Sequence, residues 1–170
     1  LPVIINSGSG NQGITASMPV LAYAKEYNID DERLYRALIV SNLTAIHQKT
    51  TIGRLSAYCG AISAGCAAGC GIAYLLGENL ETISNTLSNS LSITSGVICD
   101  GAKASCAAKI ATAVDSGITG YLMSKNNKNF CPGDGLIGNN IEKTIRNIGR
   151  LASEGMRETD KEIISIMTEE

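Results

Sequence analysis

The sequence predicts an all-α protein: a compact bundle of small-residue-rich helices with a short extended segment at its N-terminus. Three observations carry that expectation. Apolar residues recur at helical spacing in one stretch after another, strand-like alternation stops after the first five residues, and Gly and Ala supply much of the apolar content. Aromatic residues make up 4% of the chain, with Phe130 the one phenylalanine and no tryptophan, which favours closely approaching helices over a bulky aromatic core. At 170 residues the chain reads as a single helical domain, 1–170, long enough to bury a core of its own.

Leu1 to Ile5 is a short extended apolar run, and Asn6-Ser7-Gly8-Ser9-Gly10-Asn11-Gln12-Gly13 is a loop. From about Ile14 the pattern turns helical through Tyr27, with Pro19 expected in a first turn or at a kink. Asp30, Asp31 and Glu32 suit the head of a second helix, since acidic side chains complement the positive end of the helix dipole. Its apolar positions Leu34, Ala37, Leu38, Ser41 and Ala45 run to about His47. Gln48 to Arg54 is a polar joint, and a long small-residue helix from about Leu55 to Leu76 ends at Gly77-Glu78-Asn79. Leu80, Ile83, Leu87 and Leu91 form the next stripe, and Gly101 to Met123 is a further Ala-rich helix. Asn126 to Asn140 is a polar loop holding Cys131-Pro132-Gly133-Asp134-Gly135. A last helix starts at about Ile141 and carries Ile145, Ile148, Leu151 and Ala152, then Ile163, Ile164 and Met167.

A hydrophobic content of 44% and a net charge of −2 argue against a disordered tail and against a nucleic-acid binder. Gly60 to Gly77 is 18 residues without a charge, yet Ala, Gly, Cys and Ser gain little in lipid and no aromatic belt flanks them. A buried central helix is the expectation there, not a membrane span. Six cysteines without a signal peptide point to a reducing cytoplasm. The chain opens Leu1-Pro2 without a starting Met and runs at once into the glycine loop, which reads as a piece of a longer protein.

Gly8-Ser9-Gly10-Asn11-Gln12-Gly13 fits the dinucleotide fingerprint G-x-G-x-x-G. That fingerprint needs a second strand with an acidic residue about twenty residues on. Here Asp30-Asp31-Glu32 opens a helix instead, which argues against a nucleotide. The turn can offer backbone N–H groups and the side chains of Ser7, Asn11 and Gln12 to a small anion such as a carboxylate.

Cys59, Cys66 and Cys70 fall near one face of a helix, and Cys99 and Cys106 are seven apart. Cys66, Cys99 and Cys106 are ringed by small residues that leave room beside the sulfur, as an inorganic cluster requires. The paired cysteines of a zinc site, two to four residues apart, are absent except for Cys66 and Cys70. Spacing alone equally suits thiols that pack small helices.

Ile52-Gly53-Arg54-Leu55-Ser56-Ala57-Tyr58-Cys59-Gly60-Ala61-Ile62-Ser63-Ala64-Gly65-Cys66-Ala67-Ala68-Gly69 resembles the central motif of the iron–sulfur L-serine dehydratase α-domain. Ile98-Cys99-Asp100-Gly101-Ala102-Lys103-Ala104-Ser105-Cys106 and Glu154-Gly155-Met156-Arg157-Glu158-Thr159-Asp160-Lys161 are similar to the related L-cysteine desulfidase (UPF0597-type) branch. The likeness covers essentially the whole chain, as the C-terminal half of such a protein. It implies a [4Fe–4S] cluster held by Cys66, Cys99 and Cys106, with one iron open to substrate, although the interval between the last two is shorter than in the serine dehydratases. Cys59, Cys70 and Cys131 have no counterpart in the resemblance and read as packing or loop thiols. The desulfidases also carry a cysteine upstream of where this chain starts, and the tail cysteine of the serine dehydratases has no match in Ile166-Met167-Thr168-Glu169-Glu170. The fourth ligand is thereby left open, and the isolated fragment is expected to be incomplete.

The implied reaction is an α,β-elimination without pyridoxal phosphate, from L-cysteine to pyruvate, ammonia and sulfide or from L-serine to pyruvate and ammonia. Ser7, Gly8, Asn11 and Gln12 are the expected carboxylate cradle, with Arg54 and Lys49 adding charge. His47, the one histidine, is a candidate base, and Lys103, with Asp100 beside the cysteine pair, is a candidate to orient cluster or substrate. The expected partners are a small amino-acid substrate, the missing N-terminal half of the same protein and a second copy of the chain. The competing reading is a non-catalytic helical module that binds a small anion or its missing partner domain.

Overall fold

The helix at the centre of the molecule is built largely of glycine and alanine. In the computed structural model, which describes residues 3–53 and 56–169, helix α3 (Gly60–Leu75) is buried over every residue except Tyr74. Around it stand α1 (Gly10–Glu26), α2 (Asp31–Ile52), α4 (Leu80–Thr94) and α5 (Ser105–Lys125), each in contact with it. Helix α6 (Ile141–Arg150) packs on α2 and α4, and a π turn (Leu151–Gly155) joins it to α7 (Arg157–Thr168). The all-α expectation holds: the described residues contain only isolated bridges, Asn6 with Ser9 and Tyr58 with Ile98, in place of strands. No helix among the described residues is long and apolar enough to cross a membrane, as the composition of Gly60–Gly77 indicates.

Glycine decides how close the helices come. A Cβ on Gly65 would overlap the backbone of Ala113, and one on Gly69 or Gly117 would overlap the carbonyl of the other helix. On the opposite side of α3, a Cβ on Gly71 would stand 2.8 Å from Ser41 Cβ and 2.9 Å from Val20. Backbone therefore lies against backbone, and a methyl group is already too much. Two apolar clusters lie beyond this seam. One gathers Ile62, Cys66, Cys70, Leu87, Leu91, Ile145 and Ile148, and the other Val20, Leu34, Ile72, Leu75 and Tyr121.

Helix ends follow the sequence chemistry. Asp30, Asn79 and Asn140 accept the N–H of Arg33, Thr82 and Lys143, and so cap α2, α4 and α6. At the far end of α3, Arg33 Nε donates to the Leu75 carbonyl at 2.7 Å. Inside the bundle, Ser41 Oγ donates to Ala16 O at 2.6 Å, and Asn89 holds the 126–140 loop by accepting the Phe130 N–H and donating to Gly120 O.

Boundaries differ from expectation: α2 runs on to Ile52 through the expected polar joint, α5 starts at Ser105 instead of Gly101, and two further shifts bear on the site. Helix α1 begins at Gly10, with Ser9 as its cap, so half of the glycine loop is the first turn of a helix and Pro19 lies in its interior. Helix α3 begins at Gly60 rather than near Leu55, because the segment before it pairs with a distant one. The Cys59 N–H donates to Val97 O (3.1 Å) and the Cys99 N–H to Ala57 O (2.6 Å).

Candidate functional site

That backbone pairing builds the site. It sets the segment that ends in Cys59 against the segment that ends in Cys99, at the N-terminal end of α3. The turn after Cys99 passes through Gly101 at φ +86°, a left-handed conformation that suits glycine. It then returns Cys106 to the same corner, where its Sγ accepts the Lys103 N–H at 3.4 Å and donates to Gly101 O at 3.5 Å. The head of α1 closes the other side. The result is a cavity of about 200 Å³ lined by Gly8, Ser9, Asn11, Gln12, Lys49, Tyr58, Cys59, Gly60, Cys99, Cys106 and Lys109, among others.

Three thiols, two ammonium groups and a helix head thus line one cavity. Ser9 Oγ accepts the Gln12 N–H at 3.2 Å and the Gln12 side-chain amide at 3.3 Å, which fixes the first turn of α1. The Gln12 amide lies flat on Gly60, where any Cβ would collide with it. Burial pushes the Cys59 thiol up, and the N–H groups of Ala61 and Ile62 at the head of α3 pull it back toward the thiolate. Lys49 is half-buried, and desolvation lowers its pKa against the opposing pull of Cys99 and Cys59. Among the described residues it makes no ion pair. Lys109 is engaged: its Nζ donates to Ile98 O at 3.1 Å and to Asp100, whose carboxyl it holds below the ordinary range. Tyr58 contributes to the cavity lining, while its hydroxyl is fully buried and has no hydrogen-bond partner. An orphaned buried hydroxyl is costly unless some bound group satisfies it.

Of the residues singled out in the sequence, Gly8, Asn11, Gln12, Lys49, Cys99 and Cys106 meet at this cavity. Ser7 stands beside it, in a shallow depression shared with Ile46, Lys49 and Gly53. Cys66 does not line the cavity, so the expected thiol trio does not meet there. Cys66 lies nearly two turns inside α3, fully buried, with its sulfur 3.9 Å from Thr94 Oγ1, and burial raises its pKa to about 11. Cys59, expected to be a packing thiol, occupies the cavity instead. His47 is on the outer surface, half exposed, with Nε2 3.0 Å from the Glu142 carboxylate. Lys103 is exposed and contributes only its backbone N–H, to Cys106. Arg54 lies outside the described residues. Tyr58, Cys59 and Lys109 were missed as site residues. The signal that points to Cys59 is the small run after it: a helix starting at Gly60 makes Cys59 its N-cap.

Among the described residues, no group of three or more His, Cys, Asp or Glu side chains converges to hold a single metal ion. A cluster places different demands on the chain, because its cysteines bind different irons and need not meet at one point.

The family model described as "Serine dehydratase alpha chain" matches residues 1–165. Over 98% of its length the chain is 62% identical to a UPF0597 protein of Desulfitobacterium hafniense, of which it covers 39%. It is 60% identical to a UPF0597 protein of Finegoldia magna and 57% identical to one of Lachnoclostridium phytofermentans, covering 40% of each. The chain therefore spans well under half the length of these curated relatives. No solved structure matches it.

Proposed function

The chain belongs to the serine dehydratase alpha chain family, and from that premise we propose that it is the cluster-bearing part of a lyase that removes the β-substituent of L-cysteine or L-serine. The observation that carries this reading is the cavity where Cys59, Cys99 and Cys106 face the head of α1 and the Lys49 ammonium. The donor set suits a [4Fe–4S] group: three thiols from three chain segments, lying among glycine and alanine, leave one iron without a ligand from these residues. When bound, such a cluster supplies a Lewis-acidic iron to the departing thiolate or hydroxide.

The chain's own residues do the rest. The free N–H groups at the head of α1 and the Lys49 charge bind the substrate carboxylate, since a helix N-terminus and an ammonium group both favour an anion. Gln12, pinned between Ser9 and Gly60, fixes the orientation of that end. Lys109 ties the Ile98–Asp100 stretch down, so that Cys99 and Cys106 keep their places. Loss of the α-proton and the β-substituent leaves an enamine, which takes up water to give pyruvate and ammonia, with sulfide as the further product from cysteine.

The test uses the full-length protein, reconstituted without oxygen from iron and sulfide. Pyruvate is assayed with cysteine and with serine as substrate. Cluster-dependent pyruvate release from either supports the reading. A fully loaded protein that releases none from either ends it.

A further inference from the structure

Helix α2 is apolar on two opposite faces. Leu34, Ala37, Ala45 and Ile52, with the small polar Ser41, turn inward and are buried. Tyr35, Ile39, Leu43 and Ile46, spaced by four, four and three residues, turn outward and are 59%, 57%, 59% and 45% exposed. A surface helix of a finished protein shows one apolar face and one polar one, so the outer stripe is the mark of a helix between two layers. It is not isolated. Ile14 and Met18 on α1 are also exposed, and so are Val3, Ile4 and Ile5 in the segment before it. Asn6 Nδ2 donates to Asn42 Oδ1 at 2.7 Å, which fastens that segment beside the stripe. At its end Ile46 borders the depression that contains Lys49, and Lys49 lines the cavity of the three thiols as well.

We propose that this outer face of α1 and α2 is the seat of the remainder of the full-length polypeptide, which packs on Tyr35, Ile39, Leu43 and Ile46 and walls the open side of the Lys49 depression. The relatives supply the occupant. The matched region accounts for 39% of one and 40% of two others, so the larger part of each polypeptide lies outside it. Scattered exposed apolar residues need no partner, but a contiguous stripe of four, extended by a second helix, marks an interaction surface. Tethering on the same polypeptide makes the remainder the partner at highest effective concentration. The inference concerns packing and does not depend on the chemistry proposed for the cavity.

Hydroxyl-radical footprinting of the full-length native protein, with sedimentation velocity alongside, provides the test without any mutation. Tyr35, Ile39 and Leu43 are expected to be labelled at least fivefold more slowly than the same residues in the denatured protein, in a particle that sediments as a monomer. Leu80, which is 78% exposed, is the accessible standard. The double substitution Ile39→Glu with Leu43→Glu is expected to raise the rate of proteolytic release of the remainder roughly tenfold. Labelling of the stripe at the rate of Leu80 overturns the proposal. So does protection that vanishes on dilution to monomer, since a second copy would then be the occupant. Unchanged proteolysis of the double variant overturns it as well. Cluster content and pyruvate release enter none of these readouts, so failure here and failure of the lyase reading stay distinct.

Discussion

Cys59 and Cys66 are seven residues apart, in the same run of glycine and alanine, and they end in opposite surroundings. Cys59 lies just ahead of α3, at a cavity with two lysines and the head of α1, with helix N–H groups turned toward its sulfur. Cys66 is inside α3, walled by α4 and α5, with a hydroxyl for company and no space beside it. The difference comes from where the helix starts rather than from residue type. A seven-residue interval places two side chains on one face only when both belong to the helix, and here the helix begins between them. Small neighbours likewise mean two things: at Gly60 they make room for Gln12 and the cavity, and at Gly65 and Gly69 they are used up by the backbone of α5.

The largest expected effect separates the two cysteines directly. In the full-length protein Cys59→Ser is expected to abolish retention of reconstituted iron and sulfide. Cys66→Ser is expected to keep both and to lower only the denaturation midpoint. Iron analysis after desalting reads the first and a urea titration the second; iron lost with Cys66→Ser and kept with Cys59→Ser reverses the assignment.

Gly117→Val probes the buried end of the comparison. Its side chain meets the backbone of Gly65, which cannot step aside, so unfolding stability should fall by about 3 kcal/mol or more. Gly96→Val, at a position with open space around it and no left-handed φ, should cost much less.

The thiols of α3 also make alkaline pH informative. Burial raises the Cys66 pKa from 9.0 to about 11 and pushes Cys70 up further. The folded state therefore keeps these protons while the unfolded chain gives them up. Their contribution is intact below pH 9 and fades as pH rises through about 11, by about 3 kcal/mol for Cys66 alone. Urea midpoints should fall steeply over that window, and Cys66→Ala should flatten the fall. A slope that the substitution does not change refutes it.

At the cavity, Lys49→Met should raise the KM for the amino acid roughly tenfold or more while cluster content stays constant, as expected when a charged hydrogen bond to a carboxylate is lost. The smallest effect is that of Ser9→Ala. Losing the cap of α1 should cost about 1 kcal/mol of stability, together with a modest rise in KM, because Gln12 loses its anchor.

Much of this was legible beforehand. The stripe Leu34, Ala37, Ser41 and Ala45 gives both α2 and its buried side, and Asp30 marks its head. The continuation of α2 through Ile52, which buries Gln48, brings Lys49 to the cavity and leaves His47 on the outer surface, was not readable from a segment that looks like a polar joint. The uncharged run after Gly60 identified the central helix. The site was harder because its key boundary is nonlocal. Nothing near Leu55 says that the chain there will pair with Val97–Cys99 instead of continuing the helix, and that pairing is what exposes Cys59 to the cavity. The membership of Gly10 in α1 was hidden for a different reason: the loop reads as glycine-rich until Ser9 is recognised as a cap. The π turn at Leu151–Gly155 interrupts a stripe that reads as continuous, and the sequence carries no mark of it.

The backbone bridge between Tyr58 and Ile98 has a consequence for timing. The thiols of the cavity come from stretches that α3 and α4 keep apart until both helices have docked. Closing such a long loop late is slower than forming the helices themselves. The apoprotein is thus expected to reach its full helical signal before its three sulfurs meet, so that an inorganic cofactor loads onto a finished scaffold instead of nucleating one as zinc does in a finger. Equal far-ultraviolet circular dichroism for the apo and loaded proteins would bear this out, and a gain of helix on loading would refute it.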